Sequence, residues 1–208
     1  PEIVLDKVQE LAPIELTDCY LSDELQKELP GVINFDAVMR LEGKTYRRGP
    51  GRHTFSVEGK QKNFFVKMHS GVGWREIGKN LVSFKLPVLG SQAEWQGAHR
   101  LQSLGIDTIE AAGFGQRGLN PATQKSFFIS KELPVSTSLE ALPAMVDYSP
   151  LSNKRKMLER RILVRRVANI VRRMHQSGIN HRDLYLCHFW LEDGTETIER
   201  KRLFLIDL

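Results

Sequence analysis

Three carboxylates, a lysine and a histidine in this chain have the types and spacing that chemistry requires. Asp183 follows His181-Arg182, and His188 lies five positions after it. Phosphoryl transfer uses such a set: one carboxylate orients an acceptor hydroxyl and takes its proton, and a second group five residues on holds metal. His181 and Arg182 frame the carboxylate, and His188 stands where an asparagine is usual. Asp207 closes the apolar run Leu203-Phe204-Leu205-Ile206, 24 positions beyond Asp183, and suits a second hold on a divalent cation. Lys67 closes a shorter run, Phe65-Val66-Lys67, where an ammonium can meet the α- and β-phosphates of a nucleotide if a helix glutamate steadies it.

Two glutamates are candidates for that role, Glu76 and Glu94. Glu94 is preferred because Trp95, Ala98, Leu101 and Leu104 follow it at three-residue spacing and Gly105 supplies a stop, which predicts a helix with one buried face. Glu76 falls in a segment ahead of Pro87 that reads as an inserted helix with a surface glutamate. From Lys44 onward the period is two: His53, Phe55 and Val57 alternate with Thr54 and Ser56, a turn at Glu58-Gly59-Lys60 follows, then Phe64 to Met68. The first connection of this antiparallel unit is Arg48-Gly49-Pro50-Gly51-Arg52, so Gly49 and Gly51 are candidates for a lid over phosphates. Glycine-rich hairpin turns have the same composition, and Pro50 removes one backbone donor. The segments around Glu110–Gly115 and Ser126–Ser130 add two strands, for a predicted five-strand sheet. Lys131-Glu132-Leu133-Pro134 then reads either as a plain loop after a strand or as a hinge resembling the one between kinase lobes, where exposed backbone groups bind adenine, with Glu132 the candidate. Lys154 to His175 predicts a long helix with Leu163, Val167, Ile170, Val171 and Met174 on one face. Its other face carries nine Lys and Arg residues against Glu159. Such a run is commonly a solvated face, yet an imbalance this large suggests an anionic membrane surface or an acidic protein partner.

A chain of 208 residues that is 41% hydrophobic can bury a sizeable core, and its formal charge of +5 favours an anionic partner. Aromatic RNA-binding motifs are absent, which argues against nucleic acid. Two cysteines, Cys19 and Cys187, argue against a disulfide framework or a structural zinc cluster and for a reducing compartment. No apolar run reaches spanning length and no secretion pattern opens the chain, so a cytoplasmic protein, peripheral to a membrane, is expected. Ending on the strand-like run before Leu208 is what a truncated protein would show.

Residues from about 36 to 208 resemble the lipopolysaccharide core heptose(I) kinase family of Gram-negative bacteria, a branch of the protein-kinase-like fold. The resemblance rests on Phe65-Val66-Lys67-Met68-His69, on Glu76-Ile77-Gly78-Lys79-Asn80-Leu81, on Leu86 to Trp95 with its Pro87-Val88-Leu89-Gly90, on Gly178 to Asp183, on Tyr185-Leu186-Cys187-His188-Phe189, and on Ile206-Asp207-Leu208. Leu184 departs from the Cys expected after the aspartate. The resemblance implies an α+β, bilobal fold: an N-terminal extension over 1–35, an upper lobe over 36–134 with a five-strand antiparallel sheet and one helix, and the start of a mainly helical lower lobe over 135–208. It also implies transfer of the ATP γ-phosphate, with Mg²⁺, to the first heptose of the lipopolysaccharide inner-core glycolipid at the cytoplasmic face of the inner membrane. Lys67, Glu94, Gly49, Gly51 and Glu132 would then serve the nucleotide, Asp207 and His188 the metal, and Asp183 the acceptor. Another kinase of this fold acting on Kdo, a small molecule or protein tyrosine, and a nucleotide-binding pseudokinase, are the alternatives. Tyr185, where kinases acting on protein Ser or Thr carry a lysine, His188 and Trp190 read either as hydrogen-bonding aromatics beside the base, a composition suited to a pyranose, or as core of the lower lobe.

Overall fold

Alternation along two neighbouring strands sets the upper lobe. The computed structural model describes residues 19–49, 51–71, 73, 91–120, 122–146, 154–181 and 183–207. Strands β2 (Lys44–Gly49), β3 (Arg52–Glu58) and β4 (Asn63–His69) pair antiparallel, with Phe55 opposite Val66 and Thr54 opposite Lys67. Strands β5 (Ala111–Arg117) and β6 (Lys125–Lys131) join them, and β1 (Cys19–Leu21) pairs with β5, giving the order β1-β5-β6-β4-β3-β2. The sheet therefore has a sixth strand beyond the five expected.

Because successive side chains point to opposite faces, the sheet is apolar on both. One face carries Phe55, Phe64, Val66, Phe127 and Ile129, all fully buried. Helices α1 (Asp23–Glu28) and α2 (Phe35–Met39) cover it with Leu25, Phe35 and Val38. Ser22 caps α1 by accepting from the Leu25 amide at 3.2 Å, and Asn34 caps α2 by accepting from Ala37 at 2.9 Å, each the kind of bond worth about 1 kcal/mol. Residues 19–35, read from sequence as an appendage, are thus built into the lobe: without them five large apolar side chains would face water. The other face carries Phe65, Lys67, Phe114 and Phe128, and helix α3 (Gln92–Ser103) packs on it through Trp95 and Ala98.

α3 ends where the sequence places its stop. Gly105 takes a positive φ of 61°, and the Ile106 amide reaches back to the Leu101 carbonyl at 2.9 Å, satisfying a carbonyl the helix leaves open. The long helix α5 (Lys154–Gln176) ends the same way: Gly178 has φ 72° and Ile179 donates to Met174 at 3.0 Å. Between them lie β7 (Ser136–Ser138) and the short helix α4 (Pro143–Val146). Strand β7 pairs with β8 (Phe189–Glu192), which pairs with β9 (Leu203–Leu205), so a three-strand sheet begins directly after the hinge.

Leu101 and Ile106 at the end of α3 share one core with Leu139, Leu163, Met174, Phe189 and Leu205 below. Buried Thr108 adds a bond from its hydroxyl to the Leu205 carbonyl at 2.6 Å. The helix carrying Glu94 and the strand leading to Asp207 are therefore fastened to each other before any ligand enters. The basic face of α5 is partly spent inside the molecule. Arg160 donates to the Ala144 carbonyl, Arg166 to those of Ile198 and Lys201, and Arg173 to Leu104, while Lys154, Arg161, Arg165 and Arg172 face solvent.

Candidate active site

Three elements bring a cation and two carboxylates together. Lys67 on β4 sits with its Nζ 2.7 Å from Glu94 Oε2 and 2.5 Å from Asp207 Oδ1. Burial works against this ammonium, but the charges of Glu94 and Asp207 outweigh it and raise its pKa above the ordinary lysine value. Burial likewise works against the Asp207 carboxylate, yet Lys67, then His188 and Arg52, hold it below the usual carboxylate range. Asp207 also has a φ of 66°, the left-handed region that costs a non-glycine residue, so its side chain is aimed by a backbone conformation the surroundings enforce.

The loop between α5 and β8 is strapped to the same place. His181, buried, donates from Nε2 to the Ile206 carbonyl at 3.0 Å and accepts at Nδ1 from the Asp183 amide at 3.2 Å, which ties the segment holding Asp183 to the residue before Asp207. Asp183 itself is exposed, and its carboxylate has no partner among the described residues. His188 donates from Nδ1 to the Asp183 carbonyl at 2.5 Å, and its ring stacks on that of His181 at 5.2 Å. A carbonyl can only accept, so Nδ1 carries a proton, and Nε2 lies 3.9 Å from Asp207 Oδ2. His188 therefore braces the loop and keeps one nitrogen open. Arg182 and Glu76 lie outside the described residues.

Among the described residues no group of three His, Cys, Asp or Glu is arranged to hold a metal ion. One carboxylate with a single imidazole nitrogen beside it fits Mg²⁺ only as a site completed by phosphate oxygens and water, which is the way that ion is commonly held beside nucleotides. A cavity of about 680 Å³ adjoins the cluster, walled by Tyr46, Phe65, Lys67, Ser130, Leu133, Trp190 and Asp207. Its largely apolar walls, with Lys67 and Asp207 at one end, suit a planar base with an anionic tail. Trp190, expected beside the acceptor, is on this wall, with its Nε1 donating to the Cys187 carbonyl at 2.9 Å. Tyr185 is the exposed aromatic near the base, its ring 6.1 Å from that of His188. Glu132 also borders the cavity, but its amide donates to the Asn63 carbonyl at 2.9 Å and its carboxylate accepts from the Asn63 side chain at 2.7 Å. Its own N–H is thus already engaged.

Of the two lid glycines, Gly51 has φ 67°, a conformation glycine takes at no steric cost, and its carbonyl is held by the Ser70 amide at 2.9 Å. At Gly49 a Cβ would meet no atom within 4 Å, so that backbone borders open space. The residue that sequence reasoning passed over is Arg52. It follows the lid turn and places Nη2 3.1 Å from Glu94 Oε1, so Glu94 is gripped at both oxygens. The signal was the period of two: Arg52 pairs with His69 two positions from Lys67, on the same face.

A strand-built lobe over a lobe holding a long helix, with a lysine, helix glutamate and strand-end aspartate converging at the cleft between them, defines a protein-kinase-like fold. Residues 36–208 match the model of the lipopolysaccharide kinase (Kdo/WaaP) family. The lipopolysaccharide core heptose(I) kinase WaaP of Pseudomonas aeruginosa is 43% identical over 175 residues, covering 84% of this chain and 64% of that protein. Its Escherichia coli K12 counterpart is 44% identical with the same coverage. A solved structure of WaaP in complex with acyl carrier protein superposes with a TM-score of 0.72 at 34% identity, over 92% of this chain and 70% of that one. The chain belongs to the lipopolysaccharide kinase (Kdo/WaaP) family, and it spans 64% of the length of these curated relatives.

Proposed function

We propose that this chain holds the nucleotide site and the catalytic carboxylate of a kinase that moves the γ-phosphate of ATP to a heptose hydroxyl of the lipopolysaccharide inner core. The observation that carries the reading is Lys67, seated between Glu94 and Asp207 at the charged end of the cavity. The named relatives, both heptose(I) kinases, point to the acceptor. Lys67 holds the phosphates, and Glu94 keeps it extended towards them. Asp183 takes the proton of the sugar hydroxyl while that oxygen bonds to the γ-phosphorus and the bond to the β–γ bridging oxygen breaks, so that ADP leaves. His181 and His188 fix the Asp183 backbone through the ring contacts described. Mg²⁺, held by Asp207 and His188 Nε2, would neutralise charge on the phosphates. Adenine recognition falls to hinge backbone beyond Glu132.

We place the protein at the cytoplasmic face of the inner membrane, its glycolipid substrate being membrane-bound, with the exposed cations of α5 facing an anionic surface. The solved relative was seen with acyl carrier protein, and we propose a protein partner of that kind here also. The acceptor is tested by incubating the intact protein with ATP and heptose-containing core oligosaccharide and locating phosphate by mass spectrometry and phosphorus NMR. Phosphate on heptose is the expected result. Phosphate on Kdo or on protein tyrosine alone would overturn the acceptor, and no ATP turnover with any acceptor would favour a pseudokinase.

A further inference from the structure

Glu94 is 8% exposed and faces two cations, one on each oxygen. Lys67, Glu94 and Asp207 alone carry one net negative charge; with Arg52 added, two cations meet two carboxylates and the group beside the cavity is neutral. Arg52 is not a stray surface residue. Its side chain is two-thirds buried, and its Nε is fully buried with no hydrogen-bond partner among the described residues. It is set directly after Gly51, whose carbonyl is pinned by Ser70, so the guanidinium leaves the lid at a fixed point. The ion pair spans 42 residues and ties the lid strand to α3. Arg52 also acts on its neighbours: burial first, then the charges of Arg52 and Lys67, lower the pKa of His69 to about 4, and Arg52 contributes to holding Asp207 charged.

We propose that Arg52 is a positioning residue of the nucleoside triphosphate site. It holds one oxygen of Glu94 so that the other keeps Lys67 in place, and it cancels the net negative charge that Lys67, Glu94 and Asp207 would otherwise present to a polyphosphate tail. The inference rests on the nucleotide reading of the cleft. It differs from that reading by assigning selectivity for the phosphate tail to a residue on the lid strand. A guanidinium suits the task because its planar donors can hold a carboxylate oxygen while the charge stays fixed at any working pH.

Calorimetric titration of the intact protein with ATP, ADP and adenosine tests it, in the parent and in Arg52→Gln and Arg52→Lys. Arg52→Gln should weaken ATP about tenfold or more, from the loss of one charge near a triphosphate, while adenosine changes by less than about twofold. Arg52→Lys should fall between the parent and Arg52→Gln for ATP. Arg52→Met, which keeps the buried aliphatic stem, supplies the same comparison should Arg52→Gln fail to fold. Unchanged ATP affinity in Arg52→Gln or Arg52→Met would overturn the proposal, and so would equal losses for ATP and adenosine, which mark a merely structural role. A parent protein that binds none of the three ligands would overturn the nucleotide reading itself and this proposal with it.

Discussion

Glu94→Gln and Lys67→Met break the same contact from opposite sides, and they should not cost the same. Removing one member of a buried ion pair costs about 3–5 kcal/mol when the charge left behind cannot escape. Among the described residues Glu94 is the sole carboxylate gripping both Lys67 and Arg52, at 9% side-chain exposure. Its loss leaves Arg52 facing a neutral amide and Lys67 with Asp207 alone. Arg52 is 34% exposed and can turn towards water, which discounts the penalty to about 2–3 kcal/mol. In a chain of 150–250 residues 1 kcal/mol moves Tm by about 2–4 °C, so Glu94→Gln should lower it by about 4–12 °C. Lys67→Met removes a buried ammonium instead. Glu94 keeps Arg52 at 3.1 Å, and Asp207, 44% exposed, recovers water, so the cost should stay under about 1.5 kcal/mol. Differential scanning calorimetry of both variants at neutral pH decides it. A Tm for Lys67→Met at or below that of Glu94→Gln would refute the two-cation grip, because it would mean that Glu94 is stabilised by Lys67 alone.

The buried imidazole of His69 predicts acid sensitivity. Its folded pKa, about 4, lies below the ordinary value of 6.5, so as pH falls the unfolded chain takes the proton first; stability is complete above about pH 6.5 and is lost towards about pH 4. The loss amounts to roughly 3 kcal/mol at most, and His69→Phe should flatten that limb of a Tm-against-pH curve; an identical slope in the variant would contradict it. Gly115→Ala should destabilise by about 1–3 kcal/mol, since its Cβ would lie 2.5 Å from the Phe127 ring and 3.0 Å from Phe35. Urea unfolding with an unchanged midpoint would show that these rings yield freely.

Much of the frame was legible because it follows local rules. The stops at Gly105 and Gly178 need only glycine at a positive φ, and the preference for Glu94 followed from apolar spacing that marks the buried face of α3. What escaped depends on partners distant in sequence. Arg52 looks like turn punctuation until strand register sets it beside Lys67 and across from Glu94. The short apolar groups of 19–35 looked like an appendage because three residues of strand and two short helices carry little periodicity of their own; their role appears only against the apolar outer face of the sheet. A helical wheel likewise counted Arg160, Arg166 and Arg173 as surface charge, whereas backbone carbonyls on neighbouring segments draw them inward.

We propose the cleft as a phosphotransfer site in which the Asp183 carboxylate, without a partner among the described residues, serves the acceptor and not the nucleotide. Transfer of labelled γ-phosphate to core oligosaccharide, measured beside ATP binding for the parent protein and Asp183→Asn, tests it most directly. The substitution should reduce transfer by about a hundredfold or more while ATP affinity stays within about threefold, because general-base action is lost and Lys67, Glu94 and Arg52 are untouched. Transfer by Asp183→Asn at a rate close to the parent's would contradict the account.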